Sequence, residues 1–218
     1  MPSMGFFDSL RRAGPAEPPP ARRTLPEWFH PARNIMPAAL PVNRLLVRRP
    51  ELAVFVSLLQ VYPRGFEFDV NVLRRRTGPG GFDTVKDSPF AGRLPPQPNP
   101  LGVGGDEGRG FLNLGVRYAD GRSAVSEGRV RPPFADVDPP TPPVISPGSG
   151  RGMPGEWRQR FWVWGLPEAG DIEIVYSWPA EEVAESVLGL DGDAVREAAQ
   201  RAVTLWQEPT EETERGRE

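Results

Sequence analysis

The chain has 218 residues, a formal net charge of −3, 28 prolines and 24 glycines. It has no cysteine and one histidine, which excludes disulfide frameworks, thiolate metal sites and metal sites built from several histidines. Acidic residues slightly outnumber basic ones, so the charge gives no reason to expect a nucleic-acid partner. No run approaches the ~18 apolar residues of a membrane span, and we expect a cytoplasmic protein without a membrane partner or a cofactor.

Proline is concentrated outside three windows. Residues 51–76, 110–131 and 155–178 hold only Pro63 and Pro167, and each window alternates apolar with polar residues. Proline cannot donate a hydrogen bond within a sheet, so the three windows predict three antiparallel hairpins.

Proline-rich segments separate and flank the hairpins. Residues 77–109 and 132–154 are predicted loops that exceed the usual ~12–15 residues, and we expect them to be functional or disordered. The predicted organisation is a proline-rich arm over residues 1–40, a β-sandwich domain over 41–206 and an acidic disordered tail over 207–218.

The first hairpin turns at residues 63–65, where proline and glycine favour a tight turn. Pairing Tyr62 with Phe66 sets Leu58 opposite Val70 and makes one face of the ribbon almost wholly apolar. The other face carries Ser57, Asp69 and Asn71.

The second hairpin has Asp120-Gly121 between alternating segments, which is a strong turn signal and places Val116 opposite Val125. Residues 43–47 and 186–190 could add edge strands.

The third hairpin is predicted to pair residues 157–166 with residues 171–178, so that Phe161 faces Tyr176. The alternation predicts a core face made of Phe161, Val163, Ile172, Ile174, Tyr176 and Trp178. It places Arg160, Trp162 and Trp164 on the opposite face.

A final helix is predicted over residues 192–206. Asp191 is a good N-cap, and Val195, Ala199 and Trp206 lie on one face of the helix. The predicted fold is therefore all-β, an antiparallel sandwich of hairpins with the C-terminal helix packed on one sheet face.

The most unusual stretch for function is residues 157–164. Trp162 and Trp164 must either be covered or form a binding surface; the C-terminal helix could cover them in a sheet–helix seam, or they could form an exposed aromatic patch beside arginines. The candidate binding residues are Trp157, Arg158, Arg160, Trp162, Trp164 and Glu173.

No catalytic or metal-binding residue is predicted. His30 lies in an aromatic cluster of the arm and lacks a serine or cysteine partner motif, so we expect this cluster to dock the arm onto the sandwich. The glycine-rich residues 102–108 lack the lysine of a phosphate-binding loop.

Four segments carry a resemblance to known proteins. They are residues 52–68, residues 160–167 (RFWVWGLP), residues 176–180 (YSWPA) and an alanine-rich helix ending at Leu205-Trp206. Over residues 43–206 the chain resembles proteins of high-GC Gram-positive bacteria that have no assigned activity. The resemblance implies one bacterial cytoplasmic domain and implies no substrate.

Three functions remain open at this level. The sequence favours a non-enzymatic module that binds a protein partner through loops or a sheet edge, because no nucleophile–base set is present. A carbohydrate-binding module could use the tryptophans and arginines with a glycan as partner. A carboxylate-based hydrolase could use acids such as Asp69 or Asp171.

Overall fold

The structure, a computed structural model, describes residues 25–75, 88–90, 111–126 and 138–207. Within these ranges the chain forms antiparallel sheets and one α-helix near its C-terminal end, which confirms the predicted fold class. None of the helical segments in these ranges is long and apolar enough to cross a membrane.

The strands of the described ranges are short to medium in length and follow one another with few helical interruptions. In chain order they are β1 (Ile35–Met36), β2 (Ala38–Arg48), β3 (Leu52–Tyr62), β4 (Gly65–Arg74), β5 (Asn113–Tyr118), β6 (Ser123–Val125), β7 (Val144–Met153), β8 (Glu156–Trp164), β9 (Ile172–Trp178), β10 (Val183–Leu190) and β11 (Val203–Thr204). The helix α1 is Gly192–Gln200.

Two sheets enclose the hydrophobic core. The larger has five strands in the order β2-β3-β4-β8-β7, and the other has four in the order β10-β9-β5-β6. Phe66 and Phe161 of the first sheet and Leu114 and Ile174 of the second belong to one cluster of buried side chains. Strand alternation builds this core, because every second residue of a strand points to the same face.

The predicted third hairpin is wrong. β8 lies between β4 and β7 in the five-stranded sheet, whereas β9 lies between β10 and β5 in the four-stranded sheet. Phe161 therefore pairs with Phe68 and Pro147, and Tyr176 pairs with Leu114. The chain crosses from one sheet to the other through residues 165–171.

The predicted inward face of β8 and β9 is nevertheless confirmed. Both sheets enclose the same core, so a strand turns its apolar face toward that core whichever of the two sheets it belongs to. The alternation therefore predicts the correct inward side chains although the predicted neighbouring strand is wrong. The buried set is Phe161, Val163, Ile172, Ile174, Tyr176 and Trp178.

The first hairpin forms with a different register. Tyr62 pairs with Gly65, so the turn is one residue tighter than predicted, and a β-bulge lies between Phe55 and Leu59 of β3. The extra residue reverses the alternation of β3. Leu58, predicted to lie in the core opposite Val70, is therefore 42% exposed on the opposite face.

The second hairpin also shifts by one residue, and Val116 pairs with Ala124 instead of Val125. The amide of Tyr118 donates to the carbonyl oxygen of Arg122, which makes the loop longer than Asp120-Gly121 alone. The two predicted edge strands are confirmed, because residues 43–47 lie in β2 and residues 186–190 in β10, each at the edge of its sheet.

Strand β7 lies in the segment predicted to be a long loop. Proline and glycine are atypical of strands, so the sequence predicts a loop over these residues. β7 is an edge strand, however, and an edge strand tolerates a missing N–H donor. Pro147 pairs with Phe161 just before a bulge, and the regular pairing resumes at Gly150. Of the other predicted loop, 77–109, the structure describes residues 88–90, where Phe90 packs in the core.

The helix begins as predicted and ends earlier. Asp191 accepts a hydrogen bond from the amide of Ala194 (3.0 Å), so the predicted N-cap is confirmed. The helix ends at Gln200, not at residue 206, because Val203 and Thr204 pair with β1. The helix packs against β2 and β3 and adds Val195 and Ala198 to the core.

Most of the predicted arm and tail lies outside the described residues, as does the glycine-rich segment 102–108. The described end of the arm forms β1 and the beginning of β2.

Candidate functional site

The face of the five-stranded sheet that points away from the core, here called the outer face, contains a groove of about 320 Å³. The groove lies over β3, β4 and β8, and the bulge in β3 turns Leu58 toward it. Phe55 and Leu58 provide apolar wall. The polar lining residues are Ser57, Gln60, Glu67, Asp69, Asn71, Arg158 and Arg160.

Alternation along β4 places three polar side chains in this groove. Its inward positions are phenylalanine and valine, and Glu67, Asp69 and Asn71 occupy the outward positions between them. The pairing of β4 with β8 then sets Asp69 opposite Arg160 and Asn71 opposite Arg158. Opposed side chains on neighbouring strands lie close enough to interact, so the register itself builds the polar contacts.

Arg160 and Asp69 form a bidentate ion pair. The Arg160 Nε donates to Asp69 Oδ1 at 2.8 Å, and Nη2 donates to Oδ2 at 3.1 Å. These hydrogen bonds raise the pKa of Arg160 above its usual value, so the guanidinium stays charged.

Glu67 lies deeper, with 7% of its surface exposed. The Tyr62 hydroxyl donates to Glu67 Oε2 at 3.2 Å, and the Arg160 Nη1 lies 3.8 Å from the same oxygen. Burial raises the pKa of Glu67, while the charge of Arg160 and the hydrogen bond from Tyr62 act against this shift. Burial also raises the pKa of Tyr62, so its hydroxyl remains a donor.

Arg158 has a different environment. Its Nε donates to Asn71 Oδ1 at 2.8 Å, and the Asn71 Nδ2 donates to the carbonyl oxygen of Asp69 at 3.2 Å. Arg158 forms no ion pair with any of the described residues. Asn71 therefore orients this guanidinium without neutralising it.

Trp162 is covered by the N-terminal segment 25–31, and the predicted seam with the C-terminal helix is wrong. The Trp162 Nε1 donates to the carbonyl oxygen of Glu27 at 2.9 Å, and its ring meets Tyr62 edge-to-face at 5.5 Å. Arg64 holds the same segment through an ion pair with Glu27 (3.3 Å). These contacts dock the arm onto the sandwich through Glu27, next to the aromatic cluster that was expected to do so, and Trp162 is only 3% exposed.

The structure brings together only part of the predicted set of binding residues. Arg158 and Arg160 line the groove, and Trp162 lies beside Glu67 on the next row of the outer face. Trp157 points inward and is buried in the core, so it cannot form a surface with the arginines.

The other two predicted residues lie apart from the groove. Trp164 is half-buried at the end of β8, with its Nε1 atom buried and without a hydrogen-bond partner among the described residues. Glu173 lies on β9 in the other sheet and pairs with Arg117 at 2.6 Å. A second groove, of about 270 Å³, lies on that sheet and includes Arg117 and Glu185.

Glu67, Gln60 and Phe55 are groove residues that the sequence did not single out. Glu67 shares its strand face with Asp69 and Asn71, and a carboxylate between two inward phenylalanines is a usable sequence signal for a polar face. The outward position of Gln60 depends on the bulge in β3, for which the sequence offers no comparable signal, whereas Phe55 shares the outward face of Ser57 by simple alternation.

Comparison of the chain with protein-family models, curated proteins and solved structures finds no match. Among the described residues, no group of three or more histidines and carboxylates could hold a metal ion. The arrangement on the outer face is suited to hydrogen bonding and to charge recognition, since it combines oriented donors, carboxylate acceptors and an apolar wall.

Proposed function

We propose that this chain is a non-enzymatic protein-interaction module of the bacterial cytoplasm and that the groove on the outer face is its contact surface. The observation that carries the proposal is the linked polar network of Tyr62, Glu67, Arg160 and Asp69, which spans β3, β4 and β8 at the groove. A network that already holds its side chains in place loses little conformational freedom on binding.

The shape of the groove supports a partner segment in preference to a sugar ring. Trp157 and Trp162 are buried, so the groove has Phe55 in place of the expected tryptophan platform. Glycan binding usually uses an exposed aromatic face for stacking. Leu58, which is exposed beside Phe55, suits an aliphatic or aromatic side chain of a partner.

A second candidate function rests on the two carboxylates of the groove. Burial raises the pKa of Glu67, whereas Asp69 is held by Arg160. Carboxylates in such unequal environments are typical of an acid–base pair, which keeps a carboxylate-based hydrolase as the alternative. Asp171, the other acid considered, is exposed on the connection between the sheets and does not line this groove.

The interaction proposal is tested by capture from a lysate of the source bacterium on the immobilised full-length chain. We compare the natural chain with Leu58→Glu, which places a charge in the groove wall, and with Val187→Glu, which makes the same change at an exposed position on β10. A protein that the natural chain and Val187→Glu retain and Leu58→Glu loses is the expected result. No captured protein, or equal capture by all three chains, refutes the proposal.

The alternatives have their own measurements. Binding to a glycan array that Phe55→Ala abolishes would favour a carbohydrate-binding module. Hydrolysis of p-nitrophenyl glycosides that Glu67→Gln abolishes would favour the hydrolase.

A further inference from the structure

We propose that Arg151 and Arg158, here called the arginine pair, bind carboxylate groups of an acidic segment in the protein partner. The inference rests on the proposed interaction function and specifies the chemistry that the groove recognises. It assigns the end of the groove nearest β7 as an anion-binding site.

The arginine pair arises from the register of β7 and β8. Arg151 is the direct cross-strand neighbour of Arg158, so the two side chains leave the sheet on the same face. Directly opposed residues have Cβ atoms about 4.5–5.5 Å apart, and like charges at such positions destabilise a sheet. The pairing therefore brings no benefit to folding, which is the first reason to consider a role in binding.

The described residues do not neutralise the pair. Arg160, the next arginine along β8, already pairs with Asp69 and faces Glu67. Glu156 lies one row further along the same face, opposite Met153, and forms an ion pair with neither arginine. The two guanidinium groups thus remain available to an external anion, even though the chain as a whole is slightly acidic.

Asn71 prepares Arg158 for this role. It accepts the Nε hydrogen of Arg158 at 2.8 Å and so fixes the plane of the guanidinium. The terminal Nη1 and Nη2 groups remain free to donate two parallel hydrogen bonds to one carboxylate, which is the preferred geometry for this pair of groups.

The neighbouring residues indicate a peptide carboxylate. One row of cross-strand partners runs over the outer face from Phe55 through Asn71 and Arg158 to Arg151. When an acidic side chain of the partner peptide binds the arginine pair, a neighbouring residue of the same peptide therefore reaches the apolar wall of the groove at Phe55. Phosphate sites commonly include backbone N–H donors. The backbone N–H groups of β4 and β8 point along the sheet toward neighbouring strands, so they do not face a ligand on the outer face.

The inference is tested by NMR on the full-length chain, with the side-chain Nε–H signals of the arginines as reporters. The probe is the blocked peptide acetyl-Glu-Phe-Glu-Phe-amide, compared with acetyl-Gln-Phe-Gln-Phe-amide and with sodium phosphate. We expect the glutamate peptide to shift the signals of Arg151 and Arg158, and its affinity to fall several-fold from about 50 to about 300 mM NaCl.

Variants separate the arginine pair from general charge. Arg158→Gln should weaken binding of the glutamate peptide about tenfold or more, and Arg151→Gln should weaken it by a smaller factor. Glu156→Gln should strengthen it, because a nearby negative charge is removed. Arg201→Gln, the same charge change at an exposed position after the helix, should leave the affinity unchanged.

Three results would overturn the inference: equal binding of the glutamate and glutamine peptides, tighter binding of phosphate than of the glutamate peptide, or equal losses for Arg158→Gln and Arg201→Gln. If a lysate protein is lost by Leu58→Glu but retained by a chain lacking both arginines, the interaction function stands and the inference fails. If no protein is captured, the interaction function itself fails.

Discussion

Replacing Arg160 by methionine is the sharpest test of the polar network on the outer face. Methionine keeps an unbranched apolar stem and removes the guanidinium. The change leaves Asp69 without its bidentate partner and Glu67 without its nearest cation. We expect a clear loss of stability, because two partly or wholly buried carboxylates lose their compensating charge.

The exposed fractions of the Arg160, Asp69 and Glu67 side chains determine how much stability Arg160→Met should lose. Removing one partner from a fully buried ion pair costs about 3–5 kcal/mol, whereas exposed pairs contribute about 1 kcal/mol or less. The side chains of Arg160 and Asp69 are 34% and 24% exposed, between these limits, while that of Glu67 is 9% exposed. We therefore expect the free energy of unfolding to fall by about 2–3 kcal/mol at neutral pH.

The loss should depend on pH. Arg160 lowers the pKa of Glu67 against the effect of burial, so its removal raises that pKa further. A protonated Glu67 carries no charge that a cation must compensate. The loss of stability caused by Arg160→Met should therefore become smaller as the pH falls through the pKa of Glu67 in the folded variant. Urea unfolding followed by tryptophan fluorescence at about pH 7 and about pH 5 measures both effects.

A combined variant provides the control. Adding Glu67→Gln and Asp69→Asn to Arg160→Met removes the uncompensated charges, and much of the lost stability should return. The reasoning is refuted if Arg160→Met stays within about 0.5 kcal/mol of the natural chain at neutral pH, or if the combined variant is less stable than Arg160→Met alone.

The other predictions concern burial, close contact and the N-terminal segment. Folding raises the pKa of Glu67, so the stability of the natural chain should fall as the pH rises from the usual glutamate pKa through the pKa in the folded state. The variant Glu67→Gln should not show this decline. A difference between the urea midpoints of the two chains that stays the same at every pH would contradict the prediction. Gly65→Ala would place a Cβ atom 2.1 Å from a backbone carbonyl oxygen of β8 and should lower the free energy of unfolding, measured by thermal unfolding, by about 1–3 kcal/mol. Gly189→Ala has open space around the added Cβ atom and should lower it by less than about 1 kcal/mol. Equal losses of stability in the two variants would argue against the close contact. Trp162→Phe removes the 2.9 Å hydrogen bond to Glu27 and should speed amide exchange in residues 25–31, while unchanged exchange would show that the contact does not hold the segment.

The groove shows how far the sequence reaches toward a functional site. The sequence predicts Asp69 and Asn71 on the polar face of the first hairpin and Arg158 and Arg160 beside the tryptophans of β8, and all four residues line the groove. Their proximity could not be predicted, because β8 was assigned to β9 and not to β4. Side chains on two separate strands form one site only when those strands are neighbours.

The sequence alone determined which side of β4, β8 and β9 faces the core and how the helix begins. Alternation with a period of two is a property of one strand and survives a wrong choice of neighbour, as β8 and β9 demonstrate. The Asp191 N-cap is equally local, because its hydrogen bond reaches only three residues along the chain.

Only the tertiary structure decided the sheet to which each strand belongs, the bulge in β3, the pairing of β7 with β8 and the cover over Trp162. Strands with similar apolar faces can pair in several ways at similar local cost, and the choice depends on contacts between residues far apart in the chain. The bond between Trp162 and Glu27 joins positions 135 residues apart. Such contacts follow from how the whole core is filled, and no segment encodes them by itself.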